Sequence, residues 1–265
     1  MTPVATLEEA VDRMVAIDAE LAPDDGVRHF NLLYLEVTRE VVQWLAGGRV
    51  IQWVAGGQLE DARFIEHLAV GFSNAYFRAV EGEWFVWLTS RRHSQAWAPL
   101  FDARFDRRVA PIQFALAGMN AHINYDLPIA VRDTCRALGL VPEDDTPHHR
   151  DYVRLNAILA EVQQRVKPRL ATGLLGVIDR AFGRYDDDAA AFSVARARDA
   201  AWVHSKVLWS MREDARLSSS YLLALDGVVG LAGHGLVVPT LLGLGGWVNA
   251  QRWLPGCARS LLGVR

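Results

Sequence analysis

The stretch GMNAHINYDLPIAV, Gly118–Val131, places four polar side chains within seven positions of an apolar neighbourhood. His122 and Asp126 are four residues apart, so on a helix they lie one above the other on the same face. An imidazole and a carboxylate arranged in this way can share a metal ion, or can form a hydrogen-bonded pair that moves a proton. Asn120 and Asn124 repeat the same spacing two positions earlier.

The apolar neighbours of this pair predict that it points into the protein. Met119 and Ile123 flank the face that carries His122 and Asp126. An isolated ionised carboxylate in a dry core is very costly, so Asp126 needs a metal, a basic side chain or the histidine itself as its partner. We therefore predict a catalytic site at these two residues. Its predicted members are His122, Asp126, Asn120 and Asn124.

A second segment could complete a metal site. The string HHRDY places His148 and His149 ahead of Asp151, where a helix is expected to start. These side chains suit zinc, although the sequence contains no complete zinc-ligand spacing. The alternative is a metal-free polar network that is structural or contacts a substrate. If a metal is bound, we expect a divalent ion, with zinc as the first candidate. Its predicted ligands are His122, Asp126, His148, His149 and Asp151.

The elements that position these side chains are predicted to be helices. Apolar residues recur at the helical period, and no alternation of period two persists long enough to build a sheet. We predict an all-α fold with a single domain over residues 1–265 and about eight to ten helices. Pro128 should kink or end the helix that contains it. The predicted helical stretches are Glu8–Leu21, Val27–Leu45, Asp61–Val80, a broken helix at Trp84–Phe101, Pro111–Leu138, Arg150–Val166, Thr172–Phe182, Ala189–Met211 and Ser218–Val229.

The segment Gly227–Val248 is uncharged and close to the ~20 residues that span a bilayer. His234, Pro239 and several glycines interrupt it. These interruptions favour a buried apolar hairpin or helix over a membrane-surface contact, and favour both over a membrane span.

Composition narrows the function classes. A net charge of −3 over 265 residues gives no electrostatic reason to expect nucleic acid as a partner. Cys135 and Cys257 form no CxxC pair, and the N-terminus lacks the pattern of a signal peptide. We expect a cytoplasmic protein, peripheral to the membrane if the apolar segment contacts lipid. Nine tryptophans favour large apolar surfaces that could line a pocket for a hydrophobic small molecule.

Two resemblances add to this interpretation. The stretches VRHFNLLYLEVTREV, WAPLF, APIQFALAGMNAHINYDLP and HHRDYVRLNAIL resemble an actinobacterial family known as domain of unknown function 5995, over most of residues 7–213. That resemblance implies no activity. The HxxxD pattern of His122 and Asp126, followed by Pro128, is similar to the zinc-dependent phospholipase C and single-strand nuclease group, which is also all-α. Because Leu127–Ala130 contains no histidine, this second resemblance implies one or two metals instead of a trinuclear cluster.

Three functions are therefore open. The first is an enzyme with its site at His122 and Asp126, and the zinc-enzyme resemblance implies a metal-dependent hydrolase of a phosphate or other ester. The second is a metal-free protein that binds a hydrophobic small molecule, or a cyclase-like enzyme, since the acidic run Asp186–Asp188 resembles the magnesium-binding clusters of terpene synthases. The third is a membrane-associated or oligomeric interaction protein that uses Gly227–Val248.

Overall fold

The structure, a computed structural model, describes residues 2–46, 59–89, 94–156 and 187–239. All regular secondary structure within these ranges is helical, which confirms the predicted all-α class. The α-helices in these ranges are α1 (Leu7–Glu20), α2 (Gly26–Leu45), α3 (Ala62–Thr89), α4 (Ala98–Ala103), α5 (Pro111–Ala121), α6 (Leu127–Leu138), α7 (147–156), α8 (Asp187–Ser210) and α9 (Ala215–Leu236).

A π-helical turn, His122–Asp126, joins α5 to α6. The sequence predicts a kink or an end at Pro128, and in the structure α5 ends at Ala121, before the π turn, while Pro128 is the second residue of α6. The helix predicted over Asp61–Val80 extends further, as α3, to Thr89, and the stretch Trp84–Phe101, predicted as a broken helix, is divided between the end of α3 and α4. The predicted helix Thr172–Phe182 and the final residues of the apolar segment, 240–248, lie outside the described residues. None of the helices in the described part is long and apolar enough to cross a membrane.

Two hydrophobic clusters form the core of the described residues. The first contains buried side chains of α1, α2, α3, α4 and α5, and the second lies around α6 and the side chains of Tyr152 and Trp202. Phe72 of α3 packs against both clusters. Its ring therefore lies at the junction between the two halves of the core, beside the π turn.

Two glycines let α2 and α5 pack closely. A Cβ atom on Gly118 would lie 2.3 Å from Cγ of Phe30, and a Cβ on Gly26 would lie 2.6 Å from the ring of Phe114. Each helix therefore presents a glycine to an aromatic ring of the other. This contact sets the position of Phe30, whose ring lies 5.7 Å from the His122 ring, centroid to centroid.

We predict that Gly118→Ala lowers the free energy of unfolding by about 1–3 kcal/mol, because the new methyl group overpacks a filled core against Phe30. Gly82→Ala in α3 is the matched control, since a Cβ there meets nothing within 4 Å. The control should be neutral or stabilising by up to about 1 kcal/mol through helix propensity. Denaturant unfolding measures both variants, and equal stability of the two would contradict the packing argument.

Candidate functional site

The π turn brings the predicted pair together. The backbone N–H of Leu127 donates to the carbonyl of His122, five residues earlier, instead of to the usual acceptor four residues earlier. Pro128 follows immediately. Because proline has no backbone N–H, the change of hydrogen-bonding pattern at this point leaves no donor of residue 128 unsatisfied. Single π turns within α-helices occur frequently at functional sites.

Asp126 accepts two hydrogen bonds on the same oxygen. Nε1 of Trp97 lies 3.1 Å from Oδ2, and Nδ1 of His122 lies 2.9 Å from the same atom. An indole N–H can only donate, so Oδ2 is the acceptor and the histidine carries its proton on Nδ1. The predicted hydrogen-bonded pair is therefore present, and Trp97 is a third member that the spacing of the sequence does not reveal.

Aromatic rings enclose the imidazole of His122, which is 2% exposed. The ring of Phe72 stacks on it at 3.5 Å between centroids, with 5° between the planes, and the ring of Tyr34 meets it edge-on at 4.6 Å. The Nε2 atom is buried and has no hydrogen-bond partner among the described residues. With the proton on Nδ1, Nε2 is an unpaired acceptor that faces aromatic rings.

Burial controls the charge of this histidine. Desolvation lowers the pKa of His122, and it outweighs the hydrogen bond and the negative charge of Asp126, which act in the opposite direction. The imidazole is therefore neutral at neutral pH. In this geometry the imidazole donates to the carboxylate of Asp126 through Nδ1, and its Nε2 has no hydrogen-bond partner within the described ranges.

The neighbouring tyrosine hydroxyls are engaged elsewhere. The hydroxyl of Tyr34 lies 3.0 Å from Oγ of Ser73, and the hydroxyl of Tyr76 donates to Oδ1 of Asn31 at 3.0 Å. Burial raises the pKa of both tyrosines, so they remain neutral. They contribute apolar ring surface to the enclosure of His122.

Asp126 also borders a cleft of about 290 Å³ between α3 and α6. Asp126 is buried, with its side chain 8% exposed. Both of its hydrogen bonds within the described residues end on Oδ2. The residues that line the cleft are Pro3, His67, Gly71, Asn74, Ala75, Arg78, Asp126, Ile129, Ala130, Asp133, Thr134 and Ala137.

The N-terminal segment closes one side of this cleft. The side chain of Asn74 accepts from the backbone N–H of Val4 and donates to its carbonyl, both at 2.9 Å. This two-point contact fixes Pro3 against α3 at the edge of the cleft. Gly71 leaves open space in the wall of the cleft, because a Cβ atom at this position would approach nothing closer than the Thr134 hydroxyl at 4.0 Å.

Asn120 and Asn124 form a separate pair. Nδ2 of Asn124 donates to Oδ1 of Asn120 at 3.1 Å, and Nδ2 of Asn120 donates to the carbonyl of Val229 in α9 at 2.9 Å. Neither asparagine lines the cleft. In the structure this pair ties α5 and the π turn to α9, whereas the sequence assigns both residues to the catalytic site.

The segment around His148 makes its own contacts. Nε2 of His148 lies 2.9 Å from the carbonyl of Val141, and its ring packs against the ring of Phe64. Nδ1 of His149 accepts from the N–H of Asp145 at 3.0 Å.

Asp151 is fully buried. Its Oδ2 accepts from the N–H of Asp61 at 2.6 Å, and its Oδ1 accepts from Arg154 at 2.8 Å. This carboxylate therefore anchors the start of α3 to α7. Within the described ranges, no group of three or more His, Cys, Asp or Glu side chains is placed to hold a metal ion. The structure brings His122 and Asp126 together, and gives His148, His149 and Asp151 separate local partners.

Asp226 positions the tryptophan that contacts the site. This buried carboxylate of α9 accepts from the backbone N–H groups of Gln95 and Ala96, each at 2.9 Å. These two donors belong to the turn that carries Trp97 into α4. A line of contacts therefore runs from α9 through this turn to Asp126.

Several residues of the site give little signal in the sequence. Gly71 is an isolated glycine inside a helical pattern, which indicates close packing or open space at that position. Trp97 and Phe72 are typical core aromatics by type, and only the fold shows which ring contacts His122. Arg78 falls at the cleft because of its position on α3, and no motif marks it.

The described part of the chain thus forms an all-α protein with a buried histidine–aspartate pair beside a small cleft. The model of a family of unknown function (DUF5995) matches residues 7–239, and the chain belongs to this family. No curated protein and no solved structure matches the chain. The match includes α9, beyond the segments that carry the resemblance in the sequence.

The lowered pKa of His122 predicts a pH dependence of stability. The unfolded chain takes up a proton on this histidine near pH 6.5, whereas the folded site does not. Its contribution is therefore full above about pH 6.5 and is lost as the pH falls below that value, by up to about 1.4 kcal/mol per pH unit.

His122→Asn tests this prediction, since an asparagine amide can donate to Asp126 but does not titrate. Denaturant unfolding between neutral and mildly acidic pH should show a shallower decline of stability in this variant than in the wild-type protein. Other histidines contribute equally to both proteins and cancel in the difference. Parallel curves for the two proteins would contradict a neutral, desolvated His122.

Proposed function

We propose that the chain is an enzyme that binds a small molecule in the cleft between α3 and α6 and acts on it through Asp126. The reaction class that fits best is metal-free hydrolysis of a small ester. One observation carries the proposal: a buried carboxylate, held by two donors on a single oxygen, borders a cavity of about 290 Å³. That volume is close to the lower end of the range for ligand pockets, about 300 Å³.

The contacts of Asp126 suit a general base. Trp97 and His122 compensate the carboxylate for its burial and fix its orientation. Both bonds end on Oδ2, so we assign Oδ1 as the atom that accepts a proton from a water molecule in the cleft. As the water attacks the carbonyl carbon of the ester, its proton passes to Oδ1 of Asp126. The tetrahedral intermediate then collapses with cleavage of the ester C–O bond, and Asp126 returns the proton to the departing alcohol, so that the products are a carboxylic acid and an alcohol. His122 acts as a positioning residue, since its free nitrogen faces aromatic rings.

The lining of the cleft indicates the kind of substrate. The guanidinium of Arg78 is exposed and forms no ion pair with another described residue, so it is available to bind a carboxylate or phosphate group. Ala75, Ile129 and Ala130 provide an apolar wall. A small amphipathic ester with an anionic group at one end fits these features. The sequence suggested a hydrophobic small molecule in one hypothesis and an ester substrate in another, and an amphipathic ester has both properties.

A metal-dependent version of this chemistry has weaker geometric support. Nδ1 of His122 and Oδ2 of Asp126 are bonded to each other, and Nε2 faces aromatic rings. A shared ion would need these atoms to turn away from their present partners. The similarity of the HxxxD pattern to zinc-dependent phospholipases and nucleases keeps this version as a proposal. Elemental analysis distinguishes the two versions, because only the metal-dependent one predicts stoichiometric metal that is lost in His122→Ala.

Gly71→Leu tests the cleft as the binding site. The leucine side chain would fill the space beside Thr134 and should weaken ligand binding at least about tenfold by excluding the ligand, equivalent to about 1.4 kcal/mol. Gly82→Leu, on the same helix with nothing within 4 Å of its Cβ position, is the control. Ligand-observed NMR with a panel of small carboxylate and phosphate esters measures the loss. Ligands that bind both variants equally would place the site elsewhere.

Asp126→Asn tests the chemistry. Loss of the base should reduce hydrolysis by about 10²–10⁴-fold, as measured by proton release from the esters that bind. Asp133→Asn is the matched control, because Asp133 also lines the cleft but its side chain is 53% exposed and paired with Arg132. Ligand binding without any turnover by the wild-type protein would refute the enzyme and favour a metal-free small-molecule binding protein.

A further inference from the structure

The outer face of α9 is apolar although it faces solvent. Leu217, Ala224, Val228, Leu231 and Gly235 recur at intervals of seven, four, three and four residues, so they share one face of the helix. All five are exposed, with Val228 at 67% and Leu231 at 74%. We call this set the α9 stripe.

The opposite face of α9 approaches the rest of the fold closely through two glycines. That face packs through small residues: a Cβ atom on Gly230 would lie 2.4 Å from the carbonyl oxygen of Gln95, and a Cβ on Gly233 would lie 2.8 Å from Cγ of Pro99. Close approach to this part of the fold requires glycine at these two positions, and Leu225 and Val229 are the larger α9 side chains that enter the core. Packing of the described core therefore does not account for the α9 stripe.

No charged group interrupts the stripe. Asp226 is the only Asp, Glu, Lys or Arg between Leu217 and Leu236, and it points inwards to the N–H groups of Gln95 and Ala96. Leu223 of α9 and Val238, just after it, are also exposed, whereas the other large exposed apolar side chains of the described residues lie on separate parts of the chain. A contiguous exposed apolar surface marks an interaction site for a protein or a membrane.

The sequence that follows α9 distinguishes between these two partners. Residues 240–265 contain Arg252, Arg259 and Arg265 but neither Asp nor Glu, and they include Trp247 and Trp253. Tryptophan is enriched at membrane interfaces, and each arginine near an anionic bilayer contributes about 1 kcal/mol. Because this basic segment follows directly after an uncharged apolar helix face, the charge pattern complements an anionic lipid surface.

We propose that the α9 stripe binds the surface of an anionic lipid bilayer, with the helix parallel to the membrane plane. The apolar side chains enter the interfacial region, and the positive charge of the sequence that follows favours anionic over neutral lipid. This mode needs no spanning helix and exposes no backbone polar group to the bilayer interior. It is independent of the chemistry proposed for Asp126, since the stripe and the cleft share no residue.

Vesicle sedimentation with the full-length chain tests the proposal. The protein should sediment with vesicles of phosphatidylcholine and phosphatidylglycerol, and more weakly with phosphatidylcholine alone. Val228→Glu should reduce binding to the mixed vesicles roughly tenfold or more. The substitution removes an apolar side chain that would be buried, and it adds a negative charge that the anionic lipid repels. Val203→Glu is the matched control, because Val203 is an exposed valine, 56% exposed, that belongs to α8 and is not a member of the stripe. The control should bind like the wild-type protein.

Three results would overturn the proposal. The first is an absence of sedimentation with either vesicle. The second is equal binding by Val228→Glu and the wild-type protein, or equal binding to both vesicle types. The third is a concentration-dependent dimer in light scattering that Val228→Glu dissociates, without vesicle binding, which would assign the stripe to a second copy of the chain.

Discussion

The structure of the site depends on how one buried carboxylate is compensated. Asp126 is buried beside the aromatic enclosure of His122, and within the described residues it accepts hydrogen bonds from the N–H groups of Trp97 and His122. A buried carboxylate is tolerated only when such donors are fixed in place, since their loss would leave the charge uncompensated. Both donors are themselves buried and contacted by other elements.

Each donor is held by a different part of the fold. His122 is clamped against Phe72, the ring that contacts both hydrophobic clusters, so its orientation depends on the junction of the core. Trp97 belongs to a turn whose N–H groups are bound by Asp226 of α9. The π turn supplies the remaining constraint by setting the spacing between His122 and Asp126. A site with this many fixed donors is suited to hold a general base in one orientation.

The sequence predicted the helical class and the central pair because both depend on local periodicity. A spacing of four residues places His122 and Asp126 together in an α-helix, and the wider π turn still allows their hydrogen bond. The turn itself was not predicted, since Pro128 is equally compatible with a kink or a helix end. Asn120 and Asn124 show the limit of this reasoning, because an identical spacing two residues earlier serves helix packing against α9.

Long-range contacts could not be predicted from the sequence. Trp97 is 29 residues from Asp126 along the chain, and Asp226 is more than 100 residues from the turn that it caps. No local pattern encodes such separations. The segment around His148 shows the same limit. Its histidines and Asp151 were predicted as metal ligands, but in the structure they hydrogen-bond local or packing partners. Residue type indicates which groups can hold a metal, and only the fold determines which groups meet.

The protonation state of His122 tests the account most directly, because the compensation of Asp126 requires a neutral imidazole with its proton on Nδ1. Nitrogen NMR of isotopically labelled histidine in the wild-type protein reports this state at neutral pH. The account predicts a protonated Nδ1 and an unprotonated Nε2 for His122. A proton on Nε2, or an imidazolium with both nitrogens protonated, would contradict it.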